Sequence, residues 1–477
     1  MKKTLFAVLA ACSLLSAESY QVNTLSAKQL GMAHTGAGLK LGSESMHFNP
    51  GGLGFLDKAL DISAGATFIM PEVEFHGSQG KTVNDKLGTP IYVYMASRIT
   101  DWFSAGWSFT TPYGNSADYG KNWEGAGLLQ DISLSVYALQ PTVAFKVRDN
   151  ISIGVGPAIY FGSFEQSKAL VKPGALGGYN ELAEGLVKLG QAYGNPEYVQ
   201  YAAAVNGIIE KYENNSAVSA TFSGDADVAV AANVGILYDL IPNKLALGVG
   251  YRSEAKMKVA KGKTKVNYAK DAQADIAILN QIAENAAAQT VTIPDFEKDN
   301  FKAELPLPAN LNTGISFRPT EKLLLAFDWQ MVFWGAYEDL TLAFNNTYVG
   351  VDENDKPSKK QVSQKNYHNT DAYRFGVQYT VIDQLDVRLG VYYDETPVDD
   401  NYLTPESPST NKLGTTIGLS FRPIPNLSID AAFLYSNGGG SLGRDATSGS
   451  NQDKDDGLNG RYEVQAFVPS VGLNFNF

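Results

Sequence analysis

Apolar and polar residues alternate along much of the chain. Near the end, Phe467, Val471, Leu473, Phe475 and Phe477 share one face while Ser470, Gly472, Asn474 and Asn476 share the other. The same period of two runs through Leu385, Val387, Leu389, Val391 and Tyr393, set against Asp386, Arg388, Gly390, Tyr392 and Asp394. It recurs in Ile417, Leu419 and Phe421, and again in Leu427, Ile429, Ala431, Phe433 and Tyr435. One such strand suits a soluble sandwich equally well. Repetition, with charges on the non-apolar face, suits a wall that has lipid outside and a wet lumen inside. Turning Arg388 outward would cost about 2–4 kcal/mol near the bilayer midplane, so it is expected to point inward.

Short turn compositions occur near Thr100-Asp101, Arg148-Asp149-Asn150, Pro242-Asn243, Arg318-Pro319-Thr320, Ile382-Asp383 and Arg422-Pro423-Ile424-Pro425. Longer polar stretches lie around 77–88, 116–129, 166–216, 266–300, 347–368, 396–410 and 438–460. Six short turns and seven long loops separate fourteen strands. Short turns on one side and long loops on the other are the asymmetry of outer-membrane barrels, with both barrel ends periplasmic. Three loop segments carry helical spacing: Leu182, Leu186, Leu189 and Tyr193; Tyr198, Tyr201, Val205, Ile208 and Tyr212; and the Ala-rich 271–288. These helices are expected to cap the mouth, to form an apolar landing groove, or both.

Composition narrows the class. The 477 residues include 46 Gly, 25 Tyr and 23 Phe, which suits one large all-β barrel. Beyond the first residues no run of 18 apolar positions exists, so no helix is expected to span a membrane. Lys2 and Lys3, the apolar Leu5–Leu15 stretch and the small residues Ser16, Ala17 and Ser19 read as a signal peptide. Domain boundaries are expected at 1–17 for the leader, 18–59 for an internal plug and 60–477 for the barrel. Cys12 is the only cysteine, so disulfides and cysteine metal sites are excluded. Its Leu9-Ala10-Ala11-Cys12 context is lipoprotein-like, yet the apolar run continues past it and favours a discarded leader residue. Net charge is −12. Without Lys2 and Lys3, 36 basic residues face 50 acidic ones, which excludes a nucleic-acid footprint.

Catalysis finds no support. The four histidines are His34, His47, His76 and His368, and no Gly-x-Ser-x-Gly elbow is present. No cofactor is implied, since Gly36-x-Gly38 lacks the rest of a phosphate loop. Asp453-Lys454-Asp455-Asp456 reads as a solvated run rather than a calcium site. No other metal site is expected.

Residues 20–53 are glycine-rich, weakly periodic and too apolar for a disordered tail, as a compact plug inside a lumen would be. This stretch resembles the hatch of FadL-type transporters, whose signature is Asn-Pro-Ala. Asn49-Pro50-Gly51 departs at the third position. Gly235–Tyr238, Tyr251–Glu254, Leu307–Leu311, Asp371–Arg374, Tyr393–Val398 and Thr404-Pro405 are similar, in order, to that family's later strands and loops. The resemblance implies an outer-membrane channel for hydrophobic molecules such as long-chain fatty acids or aromatic hydrocarbons. It implies an outer groove, a pocket, and sideways exit beside a kinked third strand. Here Thr110-Thr111-Pro112-Tyr113-Gly114 supplies the kink, because proline cannot donate to a ladder and glycine weakens a strand.

Two site assignments follow as expectations. Asn49, Pro50 and Gly51 should lie beside Thr110–Gly114 and hold the side opening in shape. Arg374 and Arg388 are the candidates for a substrate carboxylate, although pairing with Asp386, Asp394 or Asp328 in a lumen network is the favoured role for both. The remaining classes are a water-filled porin and a loop-based receptor or adhesin. Partners are a hydrophobic small molecule and outer-membrane lipid, and the chain is expected to act as a monomer.

Overall fold

The computed structural model describes residues 19–477 except 298, 353, 400–401, 439–441, 445–457 and 459. The expected leader with Cys12, and the Asp453–Asp456 run, lie outside the described residues. Fourteen passes form the wall, several of them in two pieces. β1 comprises Leu60–Thr67 and Met70–Gly77, and β2 comprises Gly80–Asn84 and Ile91–Arg98. β3 is Phe103–Asp118, β4 Asp131–Arg148, β5 Ile151–Val171 and β6 Val218–Ile241. β7 comprises Leu245–Arg252 and Ala255–Tyr268, β8 Asn300–Leu307 and Asn310–Thr320. β9 comprises Leu323–Val332 and Asp339–Phe344, β10 Lys360–Gln364 and Thr370–Ile382. β11 is Leu385–Asp394, β12 Lys412–Ile424, β13 Leu427–Gly438 and β14 Gly460–Asn476.

Every pass pairs antiparallel with its sequence neighbours. The sheet closes where β1 meets β14, with Ala64 opposite Leu473 and Gly65 opposite Gly472. Closure removes the exposed edges that an open sheet would present. The expected loop at 77–88 is instead mostly ladder, since β1 and β2 meet in a tight hairpin between Gly77 and Gly80.

The alternation behaves as the sequence requires. Leu389 is 56% exposed and its neighbour Arg388 only 2%, so the arginine points inward and the leucine meets lipid. Outward aromatics cluster, as in Phe109, Tyr137 and Phe161, whose rings lie 5.8–6.4 Å apart. Outward-facing aromatic rings of this kind mark the interface of a membrane barrel.

Residues between Ser19 and Leu56 fill the lumen. α1 (Ala27–Leu30) starts at Ser26, whose hydroxyl accepts from the Gln29 amide at 3.1 Å and donates to Glu44 at 2.7 Å. α2 (Ser45–Phe48) leads directly into Asn49-Pro50. The wall admits this hatch by presenting glycines at the points of contact. A Cβ on Gly418 of β12 would come within 2.8 Å of the Gly31 Cα, and one on Gly235 of β6 within 2.0 Å of Asn49 Oδ1. Only glycine permits such backbone approach.

Three helices stand in the long loops, as their spacing predicts: α3 (Asn180–Tyr193), α4 (Pro196–Lys211) and α5 (Ala272–Asn285). Leu186, Val205 and Leu279 join their apolar faces into one buried cluster.

Candidate substrate site

The third strand breaks where Pro112 removes an N–H. Its ladder with β4 runs to Thr110–Ala138 and resumes at Tyr113–Val136, leaving a bulge between. On the other side, pairing with β2 stops at Tyr92–Thr110. Past that point the Thr111 hydroxyl accepts from the Ile91 amide at 3.0 Å. The freed edge is then taken by the start of the hatch. Val22 donates its amide to the Pro112 carbonyl at 2.8 Å, Gly114 donates to the Tyr20 carbonyl at 2.9 Å, and Gln21 sits opposite Tyr113. Thr110 through Ala117 are consequently buried on both faces.

Asn49 and Pro50 do not sit there. Asn49 Nδ2 donates to the Ala37 carbonyl at 2.7 Å and to the Ile236 carbonyl of β6 at 3.0 Å, and its Oδ1 accepts from the Gly51 amide at 3.0 Å. Pro50 lies against Gly154 of β5. The expectation that this motif holds the β3 opening is therefore corrected: it seats the hatch on β5 and β6. Gly51 has a reason of its own, because a Cβ would come within 2.7 Å of the Leu237 amide nitrogen. The residues that do border the β3 break, Tyr20 to Val22, have no distinctive sequence signature.

Above the hatch lies an apolar cavity. Ile132, Leu134, Phe164, Met257, Leu305 and Leu340 line it from β4, β5, β7, β8 and β9. Tyr20 closes one side, with its ring 4.8 Å from Trp334 and 5.6 Å from Tyr337 and its hydroxyl donating to the Pro306 carbonyl. Ser19 Oγ lies 3.3 Å from the Tyr367 hydroxyl and 3.1 Å from Ser407 Oγ. One short segment thus walls the cavity and covers the β3 edge.

A buried ion pair stands at the cavity rim. Lys365 donates to Glu406 and, at 3.1 Å, to Thr404 Oγ1. Burial alone would raise the Glu406 carboxyl, but the Lys365 ammonium holds it below the ordinary carboxylate value. In the sequence Lys365 reads as one more solvated loop lysine, so no pattern singles it out.

Arg374 and Arg388 are not in that cavity. Arg388 Nε donates to Gln378 at 2.8 Å, Nη1 donates to Ser420 at 2.5 Å, and Asp386 and Asp430 lie at 3.7 and 3.8 Å. Arg374 stands 3.6 Å from Asp394. Both occupy the lumen networks that were their favoured role. The vestibule on the short-turn side is charged, with Lys40 bonded to Asp239 at 2.7 Å and Arg422 to Asp386 at 2.6 Å. An apolar molecule driven straight through would have to pass these groups.

Among the described residues the one three-ligand metal arrangement is Glu74, His76 and Glu463, outside the lumen on β1 and β14. Lys81 bonds Glu74 and Arg461 bonds Glu463, so both carboxylates already have cations.

Residues 8–477 match the family described as outer membrane protein transport protein (OMPP1/FadL/TodX). The chain belongs to this FadL/TodX family. It is 24% identical over 453 residues to the long-chain fatty acid transport protein of Escherichia coli strain K12, covering 92% of this chain and 93% of that one. It is 20% identical over 510 residues to outer membrane protein P1 of Haemophilus influenzae, with both chains fully covered. Among solved structures, a Pseudomonas aeruginosa FadL homologue superposes with a TM-score of 0.71 at 20% identity, covering 96% of this chain and 100% of that one. The Pseudomonas putida toluene transporter TodX does so at 0.63 and 15%, covering 97% and 99%. The chain is accordingly an outer-membrane barrel of a FadL/TodX transport family, a channel for hydrophobic substrates and not an enzyme.

Proposed function

We propose that this FadL/TodX channel takes up long-chain fatty acids passively, and that they leave sideways into the membrane at the β3 break. The observation that carries the reading is the shared use of Tyr20 to Val22. Displacing that segment would open the apolar cavity and uncover the unpaired β3 edge together. The charged vestibule beneath the hatch argues against a straight route, because desolvating those groups beside an alkyl chain is costly. The curated relatives named for long-chain fatty acid transport support the choice of substrate. Lumen, hatch and cavity all come from one chain, which supports a monomer.

Aromatic hydrocarbons are the second reading, supported by the aromatic wall of Tyr20, Trp334 and Tyr337 around the same cavity. Competition separates them. Uptake of labelled oleate into cells carrying this barrel should be blocked by excess unlabelled palmitate and not by toluene. Blocking by toluene alone would reverse the assignment.

A further inference from the structure

The outward faces of β1 and β14 change character beyond the lipid-facing band. Met70 and Phe467 stand opposite each other there, both apolar and exposed. Past them on the same faces come Glu72, Glu74 and His76 on β1, and Gln465, Glu463 and Arg461 on β14. The residues between, Val73, Phe75, Tyr462 and Val464, turn inward and are buried. Register sets Glu74 directly opposite Glu463. Like charges so placed destabilise an antiparallel pair.

Lys81 of β2 bonds Glu74 and Arg461 bonds Glu463. Both cations are exposed, and exposed pairs of this kind contribute little. Neither serves the His76 ring. Its Nε2 is buried and lies 3.2 Å from Glu74 Oε2, yet among the described residues it makes no hydrogen bond. One donor atom each from Glu74, His76 and Glu463 falls within 4.8 Å of the other two.

An imidazole nitrogen facing two carboxylates is a donor set for a transition-metal ion, whereas calcium and magnesium take oxygen ligands. Tetrahedral zinc, with bonds of about 2.0–2.2 Å, sets its ligands roughly 3.5 Å apart. Small side-chain rotations bring these three to that spacing, and water completes the shell.

We propose that Glu74, His76 and Glu463 form a zinc site on the outer wall, which clips the seam where the barrel closes. The ion displaces Lys81 and Arg461 from the two carboxylates and takes the His76 nitrogen that neither cation reaches. β1 and β14 are the first and last passes, so a link between them closes nearly the whole chain into a loop. A metal clip that closes so long a loop constrains the unfolded chain most. The site is independent of the uptake route.

The test titrates zinc sulfate into purified, chelator-treated full-length barrel. Wild-type protein should bind one zinc ion per barrel at micromolar concentration, and excess calcium should not compete. His76→Ala and Glu463→Gln should each weaken binding at least about tenfold, since groups that merely support a metal ligand already contribute that much. His368→Ala, away from the cluster, should change nothing. Lys81→Ala/Arg461→Ala should tighten binding, because the ion then displaces no protein cation. Zinc should also raise the thermal unfolding temperature of the wild-type barrel and not that of His76→Ala. Equal binding by wild type and His76→Ala would mark an adventitious ion only and overturn the site. A wild-type barrel that binds no zinc overturns it too, whether or not the variants fold. Weaker binding by Lys81→Ala/Arg461→Ala would overturn the displacement, and binding without a rise in unfolding temperature would overturn the clip.

Discussion

The Val22 amide donates to the Pro112 carbonyl at 2.8 Å, so the hatch supplies the partner that the third strand lacks in its own sheet. A proline that cannot donate to the ladder thereby gains a second consequence. Its acceptor is capped by a segment of the hatch that takes no part in the barrel's own ladder.

Restoring a regular strand should close this route. Pro112→Thr with Gly114→Val returns a ladder donor and adds a β-branched residue that favours strand geometry. Uptake of labelled oleate should fall at least fivefold at matched surface expression, while the barrel stays heat-modifiable on gels. Wild-type uptake by this variant would show that the bulge is not needed.

The seat of the hatch on β6 gives a second expectation. Asn49→Ala removes the donor to Ala37 and Ile236 and leaves both carbonyls short of a partner, at a cost of about 1–3 kcal/mol for each buried group. Gly235→Val should act at the same contact from the other side, because even its Cβ would fall 2.0 Å from Asn49 Oδ1. Both variants should make the hatch more sensitive to protease from the periplasmic side and raise single-channel conductance in planar bilayers. Intact, silent channels would contradict the assigned seat.

Lys365 and Glu406 give a pH dependence. The Glu406 carboxyl is held below its ordinary value, so the pair's stabilisation is present above the unfolded value of about 4.3 and is lost as pH falls through the folded value. Thermal unfolding temperature should therefore drop below about pH 4.3, and Glu406→Gln should flatten that part of the profile. Identical acid limbs for the two proteins would remove the pair from the account.

Most of the fold was legible because lipid imposes a simple rule on every pass. Outward residues such as Leu389 and Ile417 must be apolar, inward ones such as Arg388 need not be, and turns interrupt the pattern at regular intervals. The helical loops were legible for the same kind of reason, through Val205 and Ile208. The site was much less so. Asn49 and Pro50 could be recognised as a motif, but which strand they touch depends on the path of the hatch through the lumen, and no local pattern encodes that path. Lys365 was hidden because a buried loop lysine and a solvated one look alike in sequence.

The central claim is that substrate leaves sideways only when the start of the hatch lets go of β3. Gln21 and Tyr113 face each other as bridge partners, a spacing suited to a disulfide. The chain's one native cysteine, Cys12, falls in the expected leader. Oleate uptake should be measured in cells carrying Gln21→Cys/Tyr113→Cys, first oxidised and then after reduction. The oxidised barrel should take up no more than cells without it, and reduction should restore uptake to the level of the reduced single variants. Full uptake through the oxidised, cross-linked barrel would contradict the lateral route.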